Sequence, residues 1–408
     1  MNNSLAGLRL VEGSAFVAAP FAGMTLAQQG VDVIRFDPIG GGLDYHRWPV
    51  TDDGGSLYWA SLNKGKRSIA VDLRSEEGRD LVIMLITAAG DDAGLFLTNF
   101  PAVGWLDYQE LRKRRPDLIM LNIMGNSDGT SEVDYTVNCA TGLPFMTGPS
   151  EHPGPVNHVL PAWDLLTGLT AVNGLLTAER HRRASGEGQL IKLALSDVAF
   201  ATMGNLGFIS EYQINGTERG STSNDLYGAF GRDFATKDGR RVMIAAISPR
   251  QWQALVKATG IADDIKRIEA AEGVDLNQQG DRYRAREAIA QLLAPWCAAR
   301  DMAEVADALN LARVSWGPYQ TVRQMLEEDR RCSTANPMFA EVEQPDIGRH
   351  LMPGSPLEFE AAARHSARPA PLLGQHTDEI LYDLLGLSDV QIGRLHDRGL
   401  VAGPTSKE

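Results

Sequence analysis

From Leu8 to Leu195 the chain alternates between short apolar runs and helix-length stretches, and an alternation that regular leaves few folds open. Leu8 to Glu12 reads as a strand, Phe21 to Gln29 as an apolar helix ended by Gly30, and Val31 to Asp37 as the next strand. Ile69 to Leu73, Leu95 to Phe100, Leu118 to Ile123 and Gln189 to Leu195 read as further strands. Between them the spacing predicts helices over Ser75–Ala89, Tyr108–Arg115 and from Asp164 through His181. Strands that alternate with helices in this way build an α/β fold with a doubly wound parallel sheet, whose ligands sit at the carboxyl edge of the strands. The glycines do not complete a dinucleotide fingerprint. Gly40-Gly41-Gly42 follows the second strand rather than the first, and no long helix comes after it.

Beyond a long apolar helix expected from Asp197 to Ile214, the pattern changes. Leu226 to Phe230, Asp233 to Arg241 and Val242 to Ala246 read as antiparallel strands with a Lys237-Asp238-Gly239 turn. Helices are expected over Pro249–Thr259, Arg282–Trp296 and Met302–Leu309, then a strand over Val314–Tyr319. With 408 residues, 43% of them apolar, the chain can fill two cores. The expected division is a large α/β domain from 1–215 and 325–408, a smaller α+β domain at 226–322, and linkers near 216–225 and 323–324. The segment from Asn336 to Pro371 is expected to be extended, and Thr377–Leu385 to be a helix that returns to the large domain.

The net charge of -13 is spread along the chain, which speaks against nucleic acid as a partner. Three distant cysteines give no disulfide framework. Met1-Asn2-Asn3-Ser4 lacks the charge and apolar core of a leader, and no apolar run reaches bilayer length, so the expected compartment is the cytoplasm with no membrane partner. The eight histidines lack the close pairing with carboxylates that a metal site would use, and neither a Gly-x-Ser-x-Gly elbow nor a Walker loop is present.

What remains for chemistry is a carboxylate. Asp164 follows a loop containing Pro149, Pro153 and Pro155 and opens an apolar run in which Gly168 and Gly174 permit close backbone approach. There it can cap a helix N-terminus, or it can attack an acyl carbon while nearby amides stabilise the developing charge. His158 is either a hydrogen-bonded loop residue or an orienting group, and Trp163 reads as packing. The basic loop Asn63-Lys64-Gly65-Lys66-Arg67-Ser68 is either solvated or, at the carboxyl edge of the sheet, a grip for phosphates.

Leu8 to Pro20, Asn63 to Asp72, Thr98-Asn99-Phe100, Asp164 before a glycine-containing helix, Leu226 to Phe230 with Asp238-Gly239, and Leu373 to Leu381 together resemble the family III CoA transferases. The match keeps the family's motif order over essentially the whole chain. It implies an interlocked homodimer, an acyl-CoA substrate that brings coenzyme A with it, and no permanently bound cofactor. By position within the motifs, Val17 and Ala18 would line the thioester arm, Asn99 and Phe100 the pantetheine, and Asp72, Leu73 and Arg74 the nucleotide end. Asp134 and Tyr135 would also contact CoA. Pro38 stands where relatives carry a basic residue for the adenine, so Arg35, Lys64 or Arg67 would substitute. Asp164 would be an ionised nucleophile with no need of a separate base.

Val11 to Pro20, Arg35 to Tyr45, Ser131 to Asn138 and Val156 to Asp164 most resemble family members that move CoA between the two carboxylates of one branched, unsaturated dicarboxylic acid. Val17, Phe145 and Met146 are then candidate walls that retain the free acid. Arg47, Arg232 and Lys64 are candidate anchors for its distal carboxylate. Three alternatives remain: transfer to a separate acceptor acid, a non-catalytic CoA-binding protein, and an α-proton racemase. The racemase would need a histidine immediately before Asp134, where this chain has Val133.

Overall fold

The computed structural model describes residues 5–151, 154–362 and 364–404. Met1 to Ser4, used above for the leader reading, and His152 and Pro153 of the proline-rich loop lie outside them. The chain divides into two compact units. The first contains the residues up to Thr141, Val159–Ile214 and those from Arg330 onward; the second contains Gly142–His158 and Asn215–Asp329. The second therefore includes Gly142–His158, a stretch that the strand-helix alternation assigns to the large domain.

In the first unit, β1 (Arg9–Gly13), β2 (Asp32–Pro38), β3 (Arg67–Val71), β4 (Leu95–Thr98), β5 (Ile119–Met124) and β6 (Leu190–Ala194) run parallel in the order β3-β2-β1-β4-β5-β6. The helices are α1 (Ala18–Ala27), α2 (Leu57–Leu62), α3 (Glu76–Ile86), α4 (Tyr108–Arg114) and α5 (Asp134–Ala140), then, after α6 (Leu143–Met146) of the second unit, α7 (Ala162–Ser185), α8 (Leu195–Asn205) and α9 (Phe208–Asn215). Alternate residues of each strand feed two cores. Leu10 packs with Ala22 and Leu26 of α1 and Ala171 and Leu175 of α7, whereas Val11 packs with Leu81 and Leu85 of α3 and Leu111 of α4. Burial of both faces explains why the strands read as continuous apolar runs. The helix expected over Asp197–Ile214 is two, because Gly207 has a φ of +84° between α8 and α9.

The second unit has a three-stranded antiparallel sheet of β7 (Phe230–Ala235), β8 (Arg241–Ala246) and β9 (Ser315–Pro318). Leu226–Ala229 precedes β7 as a loop rather than forming a strand. Its helices are α10 (Pro249–Thr259), α11 (Ala262–Glu272), α12 (Gln279–Arg284), α13 (Arg286–Ala298), α14 (Met302–Ala312) and α15 (Val322–Glu328). Phe230, Trp252, Leu255, Ile289 and Val305 share its core.

The chain then returns to the first unit. Its stretch over 336–371 is not wholly extended, since β10 (Phe339–Gln344) and β11 (Gly348–Pro353) pair as a hairpin. The helices α16 (Thr377–Leu385) and α17 (Asp389–Asp397) cover the sheet face that holds α3, and β12 (Val401–Ala402) closes the edge antiparallel to β3. Among the described residues no helix is long and apolar enough to cross a membrane.

Candidate active site

The direction of strand order reverses between β1 and β4, and the loops that leave those two strands must part there to follow helices on opposite faces. A cavity of about 750 Å³ opens at that point. Val17 and Ala18 after β1, Asn99 and Phe100 after β4, Asp134 and Tyr135 at the start of α5, and Asp164 all line it. Seven residues read from the sequence as CoA contacts or nucleophile thus converge. Arg47 and Tyr58 complete one wall.

The rim is held by partly buried polar bonds. Asn99 clamps Ala15 twice: Oδ1 accepts its N–H at 2.9 Å and Nδ2 donates to its carbonyl at 2.7 Å. The Phe16 N–H donates to Asp44 Oδ2 at 3.2 Å, fixing Phe16 at a φ of +68°, a strained conformation for an aromatic residue. So held, the Phe16 ring lies 5.3 Å from the Arg47 guanidinium, which also lies 5.0 Å from the Tyr58 ring.

Asp164 lies in the first turn of α7. Its backbone does not hold the amides open: Asp134 Oδ2 accepts the N–H groups of Trp163 at 2.7 Å and Asp164 at 3.1 Å. Pro161, at the N-cap position, gives no side-chain cap, so the carboxylate of α5 caps α7 from outside. Trp163 is buried and donates Nε1–H to Asn138 Oδ1 at 3.0 Å, in keeping with a packing role. Burial, then the charge of Asp134, push the Asp164 carboxyl up to about 7, while Arg47 pulls it down. This corrects the expectation of a fully ionised nucleophile. The Asp164 carboxyl thus holds its proton far more tightly than an exposed aspartate does.

Tyr58 carries no motif and was not singled out from sequence. Its hydroxyl is buried without a hydrogen-bond partner among the described residues, and burial pushes it up to about 12, so it remains a donor at neutral pH. Only tertiary structure reveals it, since Leu57-Tyr58-Trp59 is an ordinary apolar turn in sequence.

Other expectations are corrected. Arg35 is 1% exposed and enclosed: its Nε donates to Asp37 at 2.9 Å, Nη2 to Asp44 and to the Ser14 carbonyl at 3.0 Å, and Nη1 to Asn63 at 3.1 Å. It is an internal cation that ties the loops after β1 and β2 together, and no phosphate reaches it. Lys64 and Arg67 lie at the amino edge of the sheet, opposite the cavity, because they precede and begin β3; Arg67 bonds Asp32, the first residue of β2. Asp72, Leu73 and Arg74 do follow β3 at the carboxyl edge but do not line the cavity, and Leu73 packs against a core. Of the three candidate anchors, Arg47 alone lines the cavity. Arg232 belongs to the second unit and is taken by Asp225 and Glu287. Phe145, Met146 and His158 also belong to the second unit. Among the described residues, no three His, Cys, Asp or Glu side chains group as a metal site.

A model of CoA-transferase family III matches residues 5–377. The chain is 61% identical over 405 residues, 99% of each chain, to 2-methylfumaryl-CoA isomerase of Chloroflexus aurantiacus. It is 30% identical over 403 residues to succinyl-CoA:mesaconate CoA-transferase of Haloarcula marismortui, covering 93% of this chain and 96% of that one. A solved CaiB/BaiF family protein from Brucella suis superposes with a TM-score of 0.75 at 26% identity, over 93% of this chain and 99% of that one.

Proposed function

The chain belongs to CoA-transferase family III, and from that premise we propose that it converts 2-methylfumaryl-CoA into 3-methylfumaryl-CoA by moving CoA within one molecule, with Asp164 as the nucleophile. The observation that carries the assignment is a carboxylate in the first turn of α7, facing a cavity at the sheet's switch point with one guanidinium, Arg47, on its wall. The 61% identity to a protein named for this isomerisation supports the substrate.

The ionised Asp164 attacks the C1 thioester carbonyl, and CoA thiolate leaves as a mixed anhydride forms. The thiolate then attacks the aspartyl carbonyl of that anhydride; Asp164 becomes a CoA thioester and the dicarboxylate is released into the cavity. Its C4 carboxylate attacks the aspartyl thioester, expelling thiolate and forming the second anhydride. Thiolate attack at C4 gives the product and restores Asp164. In these steps Arg47 holds the carboxylate that is not reacting, and the Tyr58 hydroxyl donates to an oxygen on which negative charge collects. Val17, Ala18, Asn99, Phe100, Asp134 and Tyr135 border the thioester end of CoA, and Asp72 to Arg74 lie towards its nucleotide. The Ala15–Asn99 clamp and the Arg35 cluster keep the walls fixed, which helps retain the free acid and exclude water from the anhydrides.

We further propose that the active species is a homodimer. The helix α9 buries none of its residues, and Ile209, Tyr212 and Ile214 on it are exposed.

The test is isotopic. Purified protein is given 2-methylfumaryl-CoA labelled in the acid together with excess unlabelled mesaconate. Undiluted label in 3-methylfumaryl-CoA supports intramolecular transfer, and dilution to the level of the pool would assign the protein to transfer onto a separate acceptor acid.

A further inference from the structure

The basic turn that the reaction leaves unused opens onto a second cavity. This one, about 280 Å³, lies at the amino edge of the sheet and is lined by Asp32, Lys64, Arg67, His365 and Arg368 among others. The turn is tied to the returning chain at two points: Lys64 Nζ donates to the Pro353 carbonyl at 2.9 Å, and Gly65 N–H to the Pro369 carbonyl at 3.0 Å. Gly354, Ser355 and His365 to Arg368 of the returning chain line the cavity opposite the turn.

The charges around this cavity do not balance. Lys64 is 6% exposed, yet its ammonium has one carbonyl acceptor and no carboxylate partner among the described residues. A lysine so little exposed normally has a counter-charge for its ammonium, since partial desolvation is otherwise uncompensated. The nearby carboxylates are engaged: Asp32 by the Arg67 fork and by Arg9, and Glu379 by Arg67. Arg368 is exposed at the mouth with no carboxylate partner among the described residues, and the buried Nε2 of His365 has no hydrogen-bond partner among them. Burial alone lowers the Lys64 ammonium to about 8, which a bound counter-ion would reverse.

We propose that this cavity is a binding site for a small divalent oxyanion, of phosphate or dicarboxylate type, held by Lys64, His365 and Arg368. The anion supplies the missing negative charge and bridges the turn to His365 and Arg368 of the returning chain. Nothing in this assignment depends on Asp164 or on CoA, so it stands or falls apart from the proposed reaction.

Thermal unfolding of the whole chain, with inorganic phosphate or fumarate titrated against chloride at equal ionic strength, tests the proposal. The expected result is a saturable rise in midpoint with at least one oxyanion, weakened about tenfold or more in apparent affinity by Arg368→Ala and abolished by Lys64→Met. Saturation by phosphate alone assigns a tetrahedral anion, and by fumarate alone a dicarboxylate. A rise no greater than with chloride, or one unchanged in both variants, overturns the site. Should Lys64→Met fail to fold, the wild-type protein is treated with acetic anhydride and Lys64 acetylation measured by peptide mass. Phosphate or fumarate then slows that acetylation severalfold, and unchanged acetylation under saturating anion overturns the proposal.

Discussion

Two carboxylates beside the start of α7 have different duties. Asp134 gives its charge to the amides that open α7, and burial first, then that same charge, make Asp164 retain its proton. The other groups facing Asp164 are Arg47, which opposes this effect, and the neutral hydroxyl of Tyr58. In the proposed route an acylated Asp164 carries no charge, so Asp134 would destabilise the free carboxylate relative to the covalent intermediates. Activity measured as kcat/KM should therefore rise with pH as Asp164 ionises, with its midpoint near the value of about 7. Asp134→Asn removes the repelling charge and keeps an oxygen for an amide, so its midpoint should move to lower pH. A midpoint that stays in place while activity falls would make Asp134 merely a helix cap. The sequence shows Asp164 through its place before an apolar helix, but the capping by Asp134 spans 30 positions and has no local sign.

Among the elements, the contact between α1 and α7 sets the position of Asp164. A Cβ on Gly168 would stand 2.8 Å from the Ala18 carbonyl oxygen and 2.9 Å from the Phe21 ring. Gly168→Ala should push the helices apart and cost about 1–3 kcal/mol, measured by denaturant unfolding, with a larger loss of activity than of stability because Val17, Ala18 and Asp164 move together. Elements with strong punctuation were legible in the chain. The helix α10 sits between the Ser248-Pro249 start and Gly260, and α16 ends at Gly386. Those without it were not. The helix α11 buries only Ile265 and so shows little apolar stripe, and β10 and β11 mix Glu341, Glu343 and Arg349 into a hairpin that the composition of the segment disguises. Arg35 misleads for a related reason: as a cation on a strand it looks available, and only the fold brings Glu12, Asp37, Asp44 and Asn63 around it.

For the whole molecule, holding a carboxylate in a desolvated site carries a stability cost that depends on pH. The folded chain binds the Asp164 proton more tightly than the unfolded chain, since the carboxyl moves from 3.8 to about 7. Stability from this group is thus present below the unfolded value and lost as pH rises through the folded one. Replacing the carboxylate with an amide removes that loss. Asp164→Asn should be more stable than wild type at pH 8, by at most about 4 kcal/mol and about half that given the partial exposure of the group. The difference should shrink towards zero near pH 4. Equal unfolding midpoints at both pH values would contradict a desolvated nucleophile. Sedimentation at micromolar concentration should give twice the mass of the chain, and a monomer that retains full activity would rule out the dimer.

In the covalent route oxygen atoms pass between the dicarboxylate and Asp164. Each passage through the second anhydride leaves Asp164 with the bridging oxygen supplied by the substrate's C4 carboxylate. The measurement is therefore turnover of 2-methylfumaryl-CoA bearing heavy oxygen in its free carboxylate, followed by mass analysis of the peptide that contains Asp164. Heavy oxygen in that carboxylate, absent when substrate is omitted, is the predicted result. Conversion to 3-methylfumaryl-CoA with only light oxygen on Asp164 would contradict the covalent route.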